Sequence, residues 1–113
     1  MAKVTDLAGV ELDGAVARAE IDEGQLGIKM SHGGPIIQGT DGLWEAFRPS
    51  VTWAHAGPII EREQIALLST EPGHCVAAIG AEWADGHFAG CRVLRAGPTQ
   101  LVAAMRVYVD SRA

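Results

Sequence analysis

The sequence predicts an α+β domain: an N-terminal helix, a loop-rich middle, a three-stranded antiparallel meander and a C-terminal helix packed on the sheet. Three observations predict it. Leu12, Ala15, Val16 and Ala19 recur at helical spacing. Apolar runs between residues 64 and 95 are separated by Glu71-Pro72-Gly73 and Asp85-Gly86, both turn sequences. Finally, Gly97-Pro98-Thr99 precedes Leu101, Val102, Met105, Tyr108 and Val109, which share one side of a helix. A chain of 113 residues builds one core, so residues 1–113 are expected to form a single domain.

The first helix is expected over residues 7 to 22, capped by Asp6 or Thr5 and stopped by Gly24. Gly9 and Gly14 each weaken it by up to about 1 kcal/mol relative to Ala, so packing must hold it. From Gln25 to Pro58, Gly33-Gly34-Pro35, Asp41-Gly42, Pro49 and Gly57-Pro58 break the chain into short pieces. Trp44, Phe47 and Trp53 lie in this loop-rich part and either pin it to the core or offer a binding surface. His32-Gly33-Gly34-Pro35-Ile36-Ile37 recurs as His55-Ala56-Gly57-Pro58-Ile59-Ile60. Two copies are too few for a solenoid, and the pair reads as two Gly-Pro turns, each leading into an extended apolar segment.

Strands are expected at Gln64 to Leu68, Cys75 to Trp83 and His87 to Arg95, with Glu61-Arg62-Glu63 a solvated face at the start of the first. Asp85-Gly86 suits a type I′ hairpin turn, whose two central residues need positive φ. In the final helix Pro98 is expected in the first turn, where its missing N–H costs nothing.

Hydrophobic residues make up 48% of the chain and charged ones 20%, the proportions of a globular protein. The run from Cys75 to Ala81 is far shorter than the roughly 20 residues that cross a bilayer. No secretory signal follows Met1, so the cytoplasm is the expected compartment. Cys75 and Cys91 are accordingly expected as reduced thiols. The net charge of −5 divides into +3 over residues 92 to 113 and −8 over the rest. Arg106 and Arg112, late in the final helix, suit its negative end.

Signatures of covalent chemistry are missing: there is no Gly-x-Ser-x-Gly elbow, no phosphate-cradling loop with Lys and no His-Glu-x-x-His helix. No catalytic residue and no cofactor are expected. A metal site is not expected either, because His87 and Cys91, four apart on a strand, stand more than about 12 Å from each other. Ser50, Thr52 and His55 form the one hydroxyl and imidazole cluster, a pattern common in capping and turns. The candidate binding residues are Trp53, His55 and Arg48 in the loop, with Arg95 and Thr99 near the start of the last helix. A helix N-terminus offers free N–H groups and a positive dipole end to an anion.

Three stretches carry a family resemblance: Leu7-Ala8-Gly9 with Leu12-Asp13 and Ala15-Val16-Ala17; Pro49-Ser50 with Trp53-Ala54 and Gly57-Pro58-Ile59-Ile60-Glu61-Arg62-Glu63; and Gly97-Pro98-Thr99 with Leu101, Ala103-Ala104-Met105-Arg106 and Tyr108-Val109. On these the chain resembles the NinX-like family of small tailed-phage and prophage proteins. It departs from that pattern at Gly14, where Trp is frequent, at Gln100, where a second Pro is usual, and in lacking an acidic tail. The resemblance implies an accessory protein of the host cytoplasm, encoded near recombination and late-control genes. It transfers no catalytic residues.

Three functions follow as expectations. The first is a non-enzymatic interaction module that meets a phage or host protein through the Trp44 to Pro58 loop and the segment entering the last helix, with a homodimer through an edge strand or that loop as a further possibility. The second is nucleic-acid binding, suggested by the arginine-biased end and by an element order like that of double-stranded-RNA-binding domains, although Gly97 to Leu101 lack the lysines those domains carry there. The third is a site for a small anionic ligand, or a minor enzyme, at Thr99 with Arg48 or Arg95.

Overall fold

The structure, a computed structural model, describes residues 6–112. Among the described residues, three α-helices and three small antiparallel sheets make up the α+β fold. The first helix, α1 (Gly9–Asp22), buries Leu12, Val16 and Ala17. Its cap differs from expectation: Ala8 occupies the N-cap without a side-chain bond, and Thr5 lies outside the described residues. Gly24 does end it. Gly24 N–H bonds to the Ile21 carbonyl and Gln25 N–H to that of Glu20, a Schellman closure.

The middle is more regular than the density of Gly and Pro suggests. β1 (Ile28–Ser31), β2 (Gly34–Gln38) and β3 (Trp44–Ala46) form one sheet in that order. The helix α2 (Trp53–Glu63) follows. The two related hexapeptides therefore take different structures. In the first copy Ile36-Ile37 are extended as expected, but the turn falls at His32-Gly33 and Gly34-Pro35 already belong to β2; in the second, Gly57-Pro58 is no turn but lies inside α2. Ala56, Ile59 and Ile60 lie three and four apart and face the core, which rewards a helix. Pro58 leaves the Ala54 carbonyl without its helical donor, and Ala54 is exposed, so solvent reaches it.

The expected three-stranded sheet is present as β4 (Ala66–Glu71), β5 (His74–Ile79) and β8 (Val93–Gly97), paired antiparallel in that order. A short hairpin of β6 (Glu82–Ala84) and β7 (His87–Gly90) interrupts it, so the second and third strands are each broken. Gly80, at φ 70°, turns the chain off β5 and sits against Arg92, whose N–H returns to the Ile79 carbonyl. Asp85 and Gly86 both have positive φ, as a type I′ turn requires.

The last helix, α3 (Gln100–Ser111), is the centre of the molecule. Leu101 to Met105, Val107 and Tyr108 are all buried, because the sheet β4-β5-β8 covers one side and α1 and α2 cover others. Thr99 is its N-cap, and Thr99 Oγ1 accepts from Val102 N–H at 3.1 Å. Pro98 consequently stands before the cap rather than in the first turn.

Candidate functional site

Two segments distant in sequence line one groove. Ser50, Val51 and Trp53 come from the entry to α2, and Thr99, Gln100, Leu101 and Val102 from the start of α3; together they enclose about 410 Å³. Trp53 is 53% exposed and Val51 68%, whereas Ser50 is buried and Phe47 is packed in the core. The aromatic residues of the middle segment thus divide: Phe47 pins it, and Trp53 faces outward. Trp44 is exposed, with the Lys29 ammonium 4.3 Å from its ring centre.

Of the five candidate residues, Trp53 and Thr99 meet at this groove; the other three do not line it. His55 Nδ1 accepts from Arg48 N–H at 3.0 Å, and its Nε2 faces Glu45 Oε2 at 3.1 Å. The neutral ring with its proton on Nε2 satisfies both contacts. His55 thus ties β3, the following loop and α2 together. Arg95 pairs with Asp110 on α3, so it is committed within the fold.

Arg106 and Arg112 are committed as well, whereas Arg92 is exposed. Arg106 donates to the carbonyls of Leu7 and Ala96 at 2.9 and 3.0 Å. Arg112 pairs with Glu23 and Glu63 at 2.8 and 2.5 Å. Their work is to join elements, not only to complement the dipole of α3, and it uses much of the positive charge that suggested nucleic acid.

Glu61-Arg62-Glu63 is no solvated strand face: it ends α2, and Arg62 reaches the buried Glu20 of α1. Arg62 Nη2 lies 2.6 Å from Glu20 Oε1 and Nη1 lies 3.2 Å from Oε2, a two-point pairing that is strong because both partners are charged. Arg62 also contacts Glu63 at 2.9 Å and the Tyr108 hydroxyl at 3.3 Å. The Glu20 carboxylate raises the Arg62 pKa against the opposing effect of burial. Burial, helped by the Glu20 charge, pushes the Tyr108 hydroxyl up to about 12. Burial alone would raise Glu63, but Arg62 and Arg112 outweigh it and hold that carboxyl below its usual range.

Sequence reasoning did not single out Ser50 as a groove residue. Its backbone N–H donates to the buried Asp13 at 2.8 Å, while its Oγ is buried without a hydrogen-bond partner. Nothing in the local sequence announces that, because Asp13 is 37 positions away. Cys75 and Cys91 are both free thiols. Among the described residues no three His, Cys, Asp or Glu side chains are grouped to hold a metal ion, and no helix is long and apolar enough to cross a membrane.

Fold and site together define an α+β domain with an open groove walled by apolar side chains. A family model described as Bacteriophage P22, NinX matches residues 3–112. The chain belongs to that family and is a phage-encoded protein. No curated protein matches it.

Proposed function

We propose that this protein is a non-enzymatic accessory module that binds a phage or host protein through the groove between the α2 and α3 N-termini. The observation that carries the reading is the exposure of Val51 and Trp53 beside Leu101 and Val102 at the mouth of a groove. An indole left half in solvent and rimmed by apolar side chains is the composition of an interface anchor. Trp53→Ala is expected to fold, since about half of the side chain is in solvent, and to lose the partner that the parent captures from lysate of phage-infected host. Trp83→Ala, on the exposed β6–β7 hairpin, serves as the comparison. If Trp53→Ala folds and keeps every partner, the groove is not the binding surface.

A second reading, self-association, has its own observation. Alternation in the sheet sends Cys75, Ala77 and Ile79 toward the core, so their neighbours Val76 and Ala78, with cross-strand partners Ala66, Leu68, Leu94 and Ala96, face the other way. That face carries no polar side chain at these six positions; Leu94 and Ala96 are exposed, Ala66, Leu68 and Val76 half-buried, and Ala78 buried. An antiparallel sheet with one wet face ordinarily alternates to polar residues there. Light scattering over a range of concentrations is expected to show a dimer whose mass falls to the monomer in Leu94→Lys; a monomer at every concentration ends this reading.

A further inference from the structure

We propose that the partner reaches the groove as an extended polypeptide segment that adds as a strand to the outer edge of β4. This rests on the groove being the partner-binding surface and adds the conformation in which the partner arrives.

One edge of the sheet β4-β5-β8 is closed and the other is open. In an antiparallel ladder, successive residues alternate between bonding their neighbour and pointing away from it. On β8 the carbonyls of Leu94 and Ala96 point off the edge, and Arg95 and Arg106 donate to them. Their cross-strand partners Ala78 and Val76 therefore turn toward β4, where they pair with Ala66 and Leu68. Leu67 and Ser69 are left to aim their N–H and C=O groups off the β4 edge, and nothing among the described residues takes them. An unpaired edge is a template for another chain, and proteins guard such edges with charge, proline or bulges. Between Ala66 and Ser69 the strand has none of these; its bulge and its one charge fall at the Ser69–Glu71 end. The first sheet offers less, since β1 packs on α1 and carries Lys29 and β3 is three residues long.

The chemistry of this edge specifies its occupant. Two donor–acceptor pairs on alternate residues stand about 7 Å apart along a strand, a spacing matched by the main chain of another extended polypeptide. Adding such a segment to a sheet edge lets main-chain bonds supply affinity and side-chain pockets supply specificity. Position gives the destination. The Gln100 side chain, on the groove wall, donates to Ser69 Oγ at 3.0 Å, so the end of β4 and the groove adjoin. Residues paired across two strands send their side chains to one face. The partner residue opposite Ser69 thus presents its side chain on the Gln100 side, where the groove opens. Glu71, exposed at the end of the strand, favours a basic residue opposite it.

The test uses the full chain, labelled with nitrogen-15, titrated with acetyl-Lys-Val-Thr-Val-Thr-Val-Lys amide and with the same peptide N-methylated at its five central residues. The first peptide is expected to shift the amide signals of Leu67, Ser69 and Gln100 saturably at millimolar concentration and to slow hydrogen exchange at Leu67 and Ser69. The N-methylated peptide, which cannot donate to the edge, is expected to bind about tenfold more weakly. Equal binding by the two peptides, or no saturable protection at Leu67 and Ser69, overturns the proposal. That comparison is made on the parent chain and does not depend on any variant folding. Ser69→Pro removes one edge donor; proline is tolerated where the N–H faces away from the sheet, so the variant is expected to fold and to bind the first peptide severalfold more weakly. Unchanged affinity in folded Ser69→Pro also overturns the proposal. Protection at Leu67 and Ser69 that rises with protein concentration in the absence of peptide assigns the edge to a second copy and overturns it too. Shifts at Gln100 without protection at Leu67 and Ser69 defeat the strand and leave the groove reading standing. Partner capture insensitive to Trp53→Ala defeats the groove reading itself, whatever the exchange at β4.

Discussion

Arg62→Met is expected to destabilise the protein by about 3 kcal/mol, the low end of what removing one partner from a buried ion pair costs. The Glu20 side chain is 3% exposed and Arg62 36%, so the change strands a carboxylate under α2 while the arginine itself regains some solvent. Glu63 and the Tyr108 hydroxyl lose a donor at the same time. For a domain of this size the loss corresponds to roughly 10 °C in melting temperature. Chemical denaturation measures it directly, and a loss under about 1 kcal/mol would mean that the pair is not holding α1 to α2. Arg62→Lys should fall between, since an ammonium keeps the charge without the two-point geometry.

The same cluster sets a pH dependence. Glu63 titrates below its ordinary 4.5 in the folded chain, so the unfolded chain binds its proton first as pH falls. Its contribution is present above pH 4.5 and is lost on acidification through the lower folded value. Arg62→Met removes one of the two arginines responsible, and its acid limb should be shallower than the parent's. At the alkaline end the sign is reversed. Tyr108, held up to about 12, keeps its proton folded after losing it unfolded, so stability declines from pH 10 upward.

Gly97→Ala is expected to cost about 2 to 3 kcal/mol, the range for forcing atoms into a packed interior. Gly97 ends β8 where the chain turns into α3, and a Cβ there would lie 2.8 Å from the Ala103 nitrogen and 3.2 Å from its Cα. Both obstacles are backbone atoms in the central helix, so no side-chain rotation relieves them. β8 and α3 would have to separate, and Arg106, which bonds the Ala96 carbonyl, would be disturbed with them. Gly57→Ala is the control: it sits in α2 with nothing within 4 Å of a Cβ, so Ala should be neutral or gain up to about 1 kcal/mol. Should Gly97→Ala melt with the parent, the close approach of β8 to α3 does not constrain the fold.

The position of Gly97 shows how much of this protein local sequence conveys. Gly97-Pro98-Thr99 is legible as a helix start, although Pro98, expected in the first turn, stands before the Thr99 cap. The reason for the glycine is different: it is needed for contact between strand and helix, which depends on Ala103 arriving from the next turn. Glu20 was half-legible in the same way. It falls four after Val16 and eight after Leu12, on the buried stripe of α1, where a charge demands a partner. That the partner is Arg62, 42 positions on, no local pattern says.

By itself the sequence determined the elements whose signals are short-ranged: the α+β class, the apolar stripe of α1, its stop at Gly24, the Asp85-Gly86 hairpin and a final helix after Gly97-Pro98-Thr99. These follow from spacing and from backbone preferences of a few adjacent residues. Tertiary structure decided the rest. Nearly identical segments became a strand at Gly34-Pro35 and a helix at Gly57-Pro58, because what each could bury differed. The groove exists only because the entry to α2 folds back beside the start of α3, bringing Ser50 and Trp53 next to Thr99 and Leu101 across almost half the chain. Such contacts are made by packing, and packing is a property of the whole core rather than of any one stretch of it.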